Sequence, residues 1–457
     1  MEKTSSEIKE RIFAKVLEEI KPSELEIRQT TANVNRLMGA IKSVVPRSVE
    51  VMVVGSIARG TFLKGDSDVD IFMLFDKSMK RDKIVKLGLE YGKKVAKKEK
   101  GRFEIRYAEH PYVRLFIESI GMRADLVPAL KIDDISDMET TVDRTPMHTE
   151  FVNSNLSSRQ RDNVRLLKYL LKAHGIYGAE VKTEGFSGYL CELLIHHYGS
   201  LQNLLKSASR FKLPLIIEPK TKKELSESSL INKFNSNFIV IDPVDSNRNV
   251  AAGVSITSLA RLVLVAREFE RKPDIKLFYG KGFSKSESDS AISKLFMPSG
   301  LDIFIILCNM PKKSEDVIYP QLRRMNLQIR NHIQKNGFTV YLATQLISKE
   351  KGLMVFVAPK QILGSKLIKG PDVFIANASS SFIKKHRNAI GFTISDSTIY
   401  ALENTKYKSI NDVLQALPAS MLKHNDVDLS KSKLIINEMP KEHSEAVYSE
   451  IIKKLSI

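Results

Sequence analysis

Apolar residues near the start of the chain recur at the spacing of one helix face. Ile8, Ile12, Val16 and Ile20 predict an amphipathic helix over residues 4–20, and a second, over 24–43, follows a break near Pro22. The pattern then turns into continuous apolar runs. VEVMVVGS (49–56) reads as a buried strand entering a turn, and VDIFMLF (69–75) as a second strand. RDKIVKLGLEYGKKVAKKEK (81–100) returns to helical character with a basic end, and RFEIRYAEHPYVRLFIESIGMRADLVPAL (102–130) supplies two or three more strands. Strands separated by helices around a Gly-Ser turn indicate an α/β or α+β domain ending near residue 147.

The next stretch is mainly helical. RQRDNVRLLKYLLKAHG (159–175) is amphipathic and stops at Gly175; FSGYLCELLIHHYGSL (186–201) and VSITSLARLVLVAREFE (254–270) read as two more helices, the first largely buried. From about 276 the order is strand, helix, strand, strand: LDIFIILC, EDVIYPQLRRMNLQIRNHIQKNG, FTVYLATQLI and GLMVFVAP. That order suggests a small α+β domain of the split βαβ kind, a type that often binds RNA. Residues 361–400 are rich in small and basic residues and yield no clear element. The fold class expected is multidomain α+β.

Composition narrows the partners. The 457 residues carry a formal net charge of +18, which favours a polyanion: nucleic acid first, an anionic membrane surface second. Cys191 and Cys308 stand far apart, which argues against a disulfide framework and a cysteine zinc site. The first residues lack the apolar core of a signal peptide, and no apolar run is long enough to span a bilayer. A cytoplasmic protein without a membrane partner is expected.

The chemistry concentrates in VVGSIARGTFLKGDSDVDIFMLF (53–75). Residues two apart on a strand share a face, so Asp68 and Asp70 can jointly bind a hard cation while Val69, Ile71 and Met73 pack away. A third carboxylate is available at Asp125, in RADLVP, at the end of another strand-like run. Three such carboxylates suit a two-metal phosphoryl displacement. Gly55-Ser56 lets the backbone approach phosphates, and Arg59, one turn on, can reach a phosphate oxygen. Either half of this pattern alone is weak, since D-x-D is usually a surface turn; together they are specific. Asp66 also forms a D-x-D with Asp68, but its KGDS setting suits a loop cap. Arg161, Arg165, Lys168 and Lys172 form one basic helical stripe, for which a solvated face is the plain alternative. His196 and His197 lack a carboxylate at ligand spacing and receive no role.

The spacing G-S-x11-D-x-D with a distant Asp resembles the DNA polymerase β nucleotidyltransferase superfamily. DRTPMH (143–148), VRLLKYLLKAHGIYGAEV (164–181), GFSGYLCELL (185–194) and VIDPVDSNRNVAAGVS (240–255) narrow the resemblance to archaeal, class I CCA-adding tRNA nucleotidyltransferases. It covers most of the chain and weakens after residue 276. It implies a polymerase β-like head at 1–147, a helical neck at 148–275, an RNA-binding body at 276–340 and 405–457, and a tRNA-binding tail at 341–404. The implied activity is addition of C, C and A to the tRNA 3′ end from CTP and ATP, without a nucleic-acid template, with repair of incomplete ends. Asp68, Asp70 and Asp125 would be catalytic and hold two Mg²⁺ ions. Ser56, Arg59, His148, Lys168 and Tyr177 would contact the nucleotide, and Arg248 would help read its base. Asp68 stands where the family allows Glu or Asp. The implied partner is tRNA, gripped at its acceptor and TΨC arms; a homodimer is left open. The alternatives are a poly(A) polymerase or oligoadenylate synthetase, which share the metal site, and an inactive RNA-binding relative.

Overall fold

The computed structural model describes residues 5–66, 68–107, 110–218, 226–279, 299–360, 364–438 and 442–455. The chain divides into two units near residue 280. Among the described residues no helix is long and apolar enough to cross a membrane.

The first unit begins with α1 (Ser5–Ile20) and α2 (Glu24–Lys42), separated by Pro22 and a Ser23 capping box with Glu26. There follow β1 (Glu50–Val54), the single turn α3 (Gly55–Ala58), β2 (Asp68–Phe75), α4 (Arg81–Lys98), β3 (Arg102–Tyr107), β4 (Pro111–Ile117) and β5 (Met122–Leu130). The five strands form one sheet in the order β1-β2-β5-β4-β3. Only β2 and β5 run parallel; the other neighbours are antiparallel. Val34, Leu37 and Ile41 of α2 and Ile84, Tyr91 and Val95 of α4 cover one face, meeting Val69, Ile71 and Met73 of β2. On the opposite face Phe72, Leu74 and Ala129 pack with Val142, closing one end and leaving the Asp68 end of β2 open.

The helical part comprises α5 (Thr145–Asn155), α6 (Ser158–Ala173), α7 (Gly188–Tyr198), α8 (Leu201–Ala208), β6 (Leu215–Ile217), α9 (Glu227–Phe234), β7 (Phe238–Val240) and α10 (Ile256–Arg271). The single helix expected over 186–201 is two. Gly199 takes φ +80°, caps α7 by donating to Ile195 O, and Ser200 starts α8. Helix α1 packs with this part through Val16 and Ile20, although the sequence boundary at 147 groups it with the head.

In the second unit β8 (Leu301–Asn309), a helix over Glu315–Lys335, β9 (Leu342–Ser348) and β10 (Lys351–Pro359) form the expected strand-helix-strand-strand order. β10 lies between β8 and β9, antiparallel to both, so β8 and β9 are parallel but not adjacent: a split βαβ arrangement. The strand Lys433–Ile436 adds to the free side of β8. The sheet is buried on both faces, by the 315–335 helix and by the helix Ser444–Leu455. The boundary at 341 assigned β9 and β10 to the tail; their hydrogen bonds place them in this sheet instead, because the apolar run 353–358 is a central strand. What remains, 364–404, is a three-stranded sheet of β11 (Ser365–Asp372), β13 (Thr398–Asn404) and β12 (Gly391–Ser395), with a helix over Ala376–Lys385 against β11. Part of the segment after 276 in the expected body, 280–298, lies outside the described residues.

Candidate active site

Alternation along β2 sends Val69, Ile71 and Met73 under the helices, so Asp68 and Asp70 project from the other face. Asp70 lies beside Asp125 on the parallel strand β5, and Asp68 beside Arg123. On its other side Asp70 partners Val54, the last residue of β1. Gly55 follows at φ +74°, and a Cβ there would collide with Asp70 Oδ2. The chain turns at this point because only glycine accepts that backbone and that neighbour.

The three aspartates have different surroundings. Arg123 Nε reaches Asp68 Oδ1 at 2.6 Å in a largely exposed pair. Arg114, the β4 neighbour of Asp125, donates from Nε and NH2 to its two carboxylate oxygens, both at 2.7 Å. The Asp70 carboxylate receives no hydrogen bond among the described residues. Burial and then the charge of Asp125 push its pKa up to about 6, with Arg59 opposing. No three His, Cys, Asp or Glu residues form a metal-type cluster among the described residues, and Asp68 is paired with Arg123. The donor set nevertheless fits a hard divalent cation. Two carboxylates are strand neighbours, and the buried one carries a charge its surroundings disfavour.

The turn after β1 holds the second group. Thr61 N donates to Ser56 O at 2.9 Å, closing the turn, and Ser56 is half-buried. Arg59 is buried and its Nε lies 2.9 Å from Glu192 Oε2 on α7. Thr61 Oγ1 donates to Glu192 Oε1 at 2.6 Å. Lys168, on α6, donates to Thr61 O and Oγ1, both at 3.1 Å, and lies 3.9 Å from Glu192. Burial lowers the Lys168 pKa; the Glu192 charge opposes that shift. Arg165 donates to Phe62 O and Gly60 O at 2.9 and 2.7 Å. The expected basic stripe is therefore split: Arg165 and Lys168 are buried against the turn, while Arg161 and Lys172 are not. Tyr177 is half-buried, and burial raises its pKa. Lys172 Nζ lies 5.3 Å from its ring. A Cβ at Gly188 would lie 3.3 Å from Tyr177 Oη and 3.6 Å from Lys168 Nζ, so these two donors meet over α7's first residue. Asp66 accepts from Leu63 N at 3.2 Å, as a loop cap does.

A third group meets α7 at Tyr189, about one turn before Glu192. His148 Nε2 lies 2.8 Å from Asp242 Oδ2; a carboxylate only accepts, so that nitrogen carries a proton. Arg248 NH1 donates to the same oxygen at 3.0 Å, and Tyr189 Oη donates to Asp242 Oδ1 at 3.0 Å. The His148 ring stacks on Tyr189 at 4.1 Å. Burial, with Arg248 and Arg144 nearby, lowers the His148 pKa and keeps the imidazole neutral despite Asp242.

The nine residues given a catalytic or nucleotide-contact role from sequence thus lie in three groups around β2, β5 and α7. Glu192, Thr61, Arg114, Tyr189 and Asp242 were missed. Glu192 had a readable signal: a lone acid inside LCELLI must find a buried partner. Asp242 stood inside the quoted DPVD motif.

Three family models cover most of the chain in order. They are a nucleotidyltransferase domain (residues 34–148), the second domain of tRNA nucleotidyltransferase (162–279) and the C-terminal domain of CCA-adding enzyme (299–432). The CCA-adding enzyme of Methanocaldococcus jannaschii is 36% identical over 421 residues, covering 89% of this chain and 90% of that one. The chain belongs to the CCA-adding enzyme family. The CCA-adding enzyme of Archaeoglobus fulgidus is 36% identical over 76% of this chain and 75% of its own. That of Methanosarcina acetivorans is 33% identical over 85% and 84%. The candidate site of this CCA-adding enzyme family member spans two matched domains: Asp68, Asp70, Asp125 and His148 lie in the first, and Lys168, Tyr177, Glu192, Asp242 and Arg248 in the second.

Proposed function

We propose that the protein adds C, C and A to the 3′ end of tRNA from CTP and ATP, without a nucleic-acid template, and completes partial CCA ends. The match to CCA-adding enzymes along most of the chain carries this reading, and the pairing of Asp70 with Asp125 beside a turn whose Arg59 shares Glu192 with the buried Lys168 supports its chemistry. In the reaction the 3′-hydroxyl of the tRNA gives up its proton to solvent as its oxygen forms a bond to the α-phosphorus. The α–β phosphoanhydride bond breaks, and pyrophosphate leaves. Bound divalent cations, two Mg²⁺ in this reading, supply charge neutralisation at the attacking and departing oxygens. Asp68, Asp70 and Asp125 would hold them. To do so Asp68 would exchange Arg123, an exposed partner, for the cation. Ser56, Arg59 and Lys168 face the triphosphate, and Tyr177 stands beside Lys168 over Gly188. Asp242 orients Arg248 and His148 toward the base.

The test supplies tRNA lacking its CCA, with CTP, ATP and Mg²⁺, and sequences the product ends. Ordered C-C-A is expected. Repeated A from ATP alone, on any RNA, would instead establish a poly(A) polymerase, and no incorporation would leave an RNA-binding relative.

A further inference from the structure

Glu192 contributes the one acidic side chain of α7, and its surroundings are otherwise apolar: Leu190, Cys191, Leu193, Leu194 and Ile195 are all buried with it. A carboxylate with no solvent exposure must be matched by donors, and its donors come from two other places in the fold. Arg59 and Thr61 belong to the turn after β1, and Lys168 belongs to α6. We propose that Glu192 is a positioning residue that holds Arg59 and Lys168 as a preformed receptor for the triphosphate shared by both nucleotides. This rests on the reading of Arg59 and Lys168 as nucleotide contacts.

Three observations support it. First, Glu192 engages Arg59 through Nε alone, which sets the plane of the guanidinium. Among the described residues NH1 and NH2 have no acceptor, so the edge best suited to paired phosphate oxygens is unused. Second, Lys168 spends two of its three N–H donors on Thr61 and keeps one. The glycine at 188 leaves room beside that ammonium where a side chain would have stood. Third, two cations share one carboxylate. Asp66, the other acid near Lys168, is nearer Lys172 at 3.8 Å, and Arg165 has its own partner in Asp162 at 2.7 Å. The cluster therefore keeps one formal positive charge in poorly solvated surroundings, where an anion is strongly favoured. Without the carboxylate, Arg59 is released toward Asp70, whose charge it already feels, and Lys168 loses the charge that favours its protonated form.

The prediction separates this role from that of a structural tie. The receptor binds phosphates, not bases, so Glu192→Gln should raise the KM for CTP, the KM for ATP and the inhibition constant of pyrophosphate by one common factor of about tenfold or more. The KM for tRNA should change little, the melting temperature should fall because two buried cations lose their anion, and Glu192→Asp should recover part of both losses. Thr61→Val removes the hydroxyl that bridges Glu192 and Lys168 without changing any charge. It should shift the same three constants together by a smaller factor, and it decides the matter if Glu192→Gln does not fold. Constants within twofold of wild type, a change in kcat alone, or a change for one nucleotide only would overturn the proposal. Arg59→Ala and Lys168→Ala run in parallel. If they leave pyrophosphate inhibition unchanged, the nucleotide-contact reading itself fails and the proposal with it. If they weaken it and the Glu192 and Thr61 variants do not, only the positioning role fails.

Discussion

Asp70 and Asp125 are register partners on the parallel strands β2 and β5, yet Arg114 grips Asp125 alone, with both carboxylate oxygens at 2.7 Å. The second carboxylate is left buried next to the first with no hydrogen bond from the described residues. An acid placed this way opposes folding when ionised, since burial and a like charge both disfavour it. Such an arrangement persists where the charge has another use. Asp70→Asn should therefore lower nucleotide incorporation by about a thousandfold or more, while the free protein melts at the same temperature or higher. A parallel fall in melting temperature would show that Asp70 is a structural acid.

Gly55 is constrained twice, by φ +74° and by the carboxylate of Asp70 against its α-carbon. Gly121 shares the first constraint, at φ +58°, but has nothing within 4 Å of the position a Cβ would take. The pair separates backbone strain from steric displacement of Asp70. Gly121→Ala should cost about 1–2 kcal/mol of stability and leave activity intact. Gly55→Ala should cost at least that and also abolish most incorporation, because Asp70 must move. Equal activity in the two variants would mean that the contact with Asp70 does not matter.

The aspartates were legible because strand alternation is a local rule. Asp68 and Asp70 sit among residues whose burial follows from their neighbours two positions away. Arg59 and Lys168 were legible as residue types but not in their state. Their common partner, Glu192, is 133 residues from Arg59 in sequence, and nothing local to either signals the other. His148 and Asp242, 94 residues apart, are the same case. The helix break at Gly199 was missed for a different reason: apolar spacing runs through it, and the left-handed cap depends on one glycine in GSL. Strands β9 and β10 were found and grouped with β8 as a split βαβ unit, but the boundary drawn at 341 cut them away from it. Membership is decided by which edge pairs with which, and composition does not carry that.

The buried histidines give a pH dependence. His148 and His174 are both held below their usual range, burial being the main cause in each. The folded state then binds fewer protons than the unfolded state. Unfolding takes up protons once the pH falls below about 6.5, so stability is greatest above that value and declines as the pH drops toward the folded pKa values. Asp242 stays silent in this window: against the cost of burial, its bonds from His148 and Val244 N hold it below the usual carboxylate range. His174 lies outside the site, with Nε2 bonded to Leu277 O at 2.9 Å. His174→Gln preserves a donor for that carbonyl and removes the titration. Urea midpoints at pH 7.5 and 5.5 should differ less in this variant than in the wild type, with incorporation at pH 7.5 unchanged. An undiminished pH difference would exclude His174 as a contributor.

Arg248 is tied to Asp242 through NH1 only, at 3.0 Å, and its guanidinium carbon lies 5.9 Å from the centre of the Tyr189 ring. The tether fixes the direction of a planar donor and leaves its remaining N–H groups unengaged among the described residues. A donor oriented in this way suits the edge of a base, because a site built to hydrogen-bond one edge rejects another by leaving buried groups unpaired. Arg248→Ala should accordingly raise incorporation of UTP and GTP relative to CTP and ATP by about tenfold, since one lost hydrogen bond to a charged group is worth about 1.5–3 kcal/mol. Pyrophosphate inhibition should not change, in contrast to the Glu192 variant. Asp242→Asn should weaken base choice in the same direction, because Arg248 remains but loses its charged anchor, and should also lower stability by about 1–3 kcal/mol, since Tyr189 and His148 lose the same acceptor. If Arg248→Ala weakens pyrophosphate binding while base choice holds, the arginine serves the phosphates, and the His148–Asp242 pair must then be read as part of the triphosphate site.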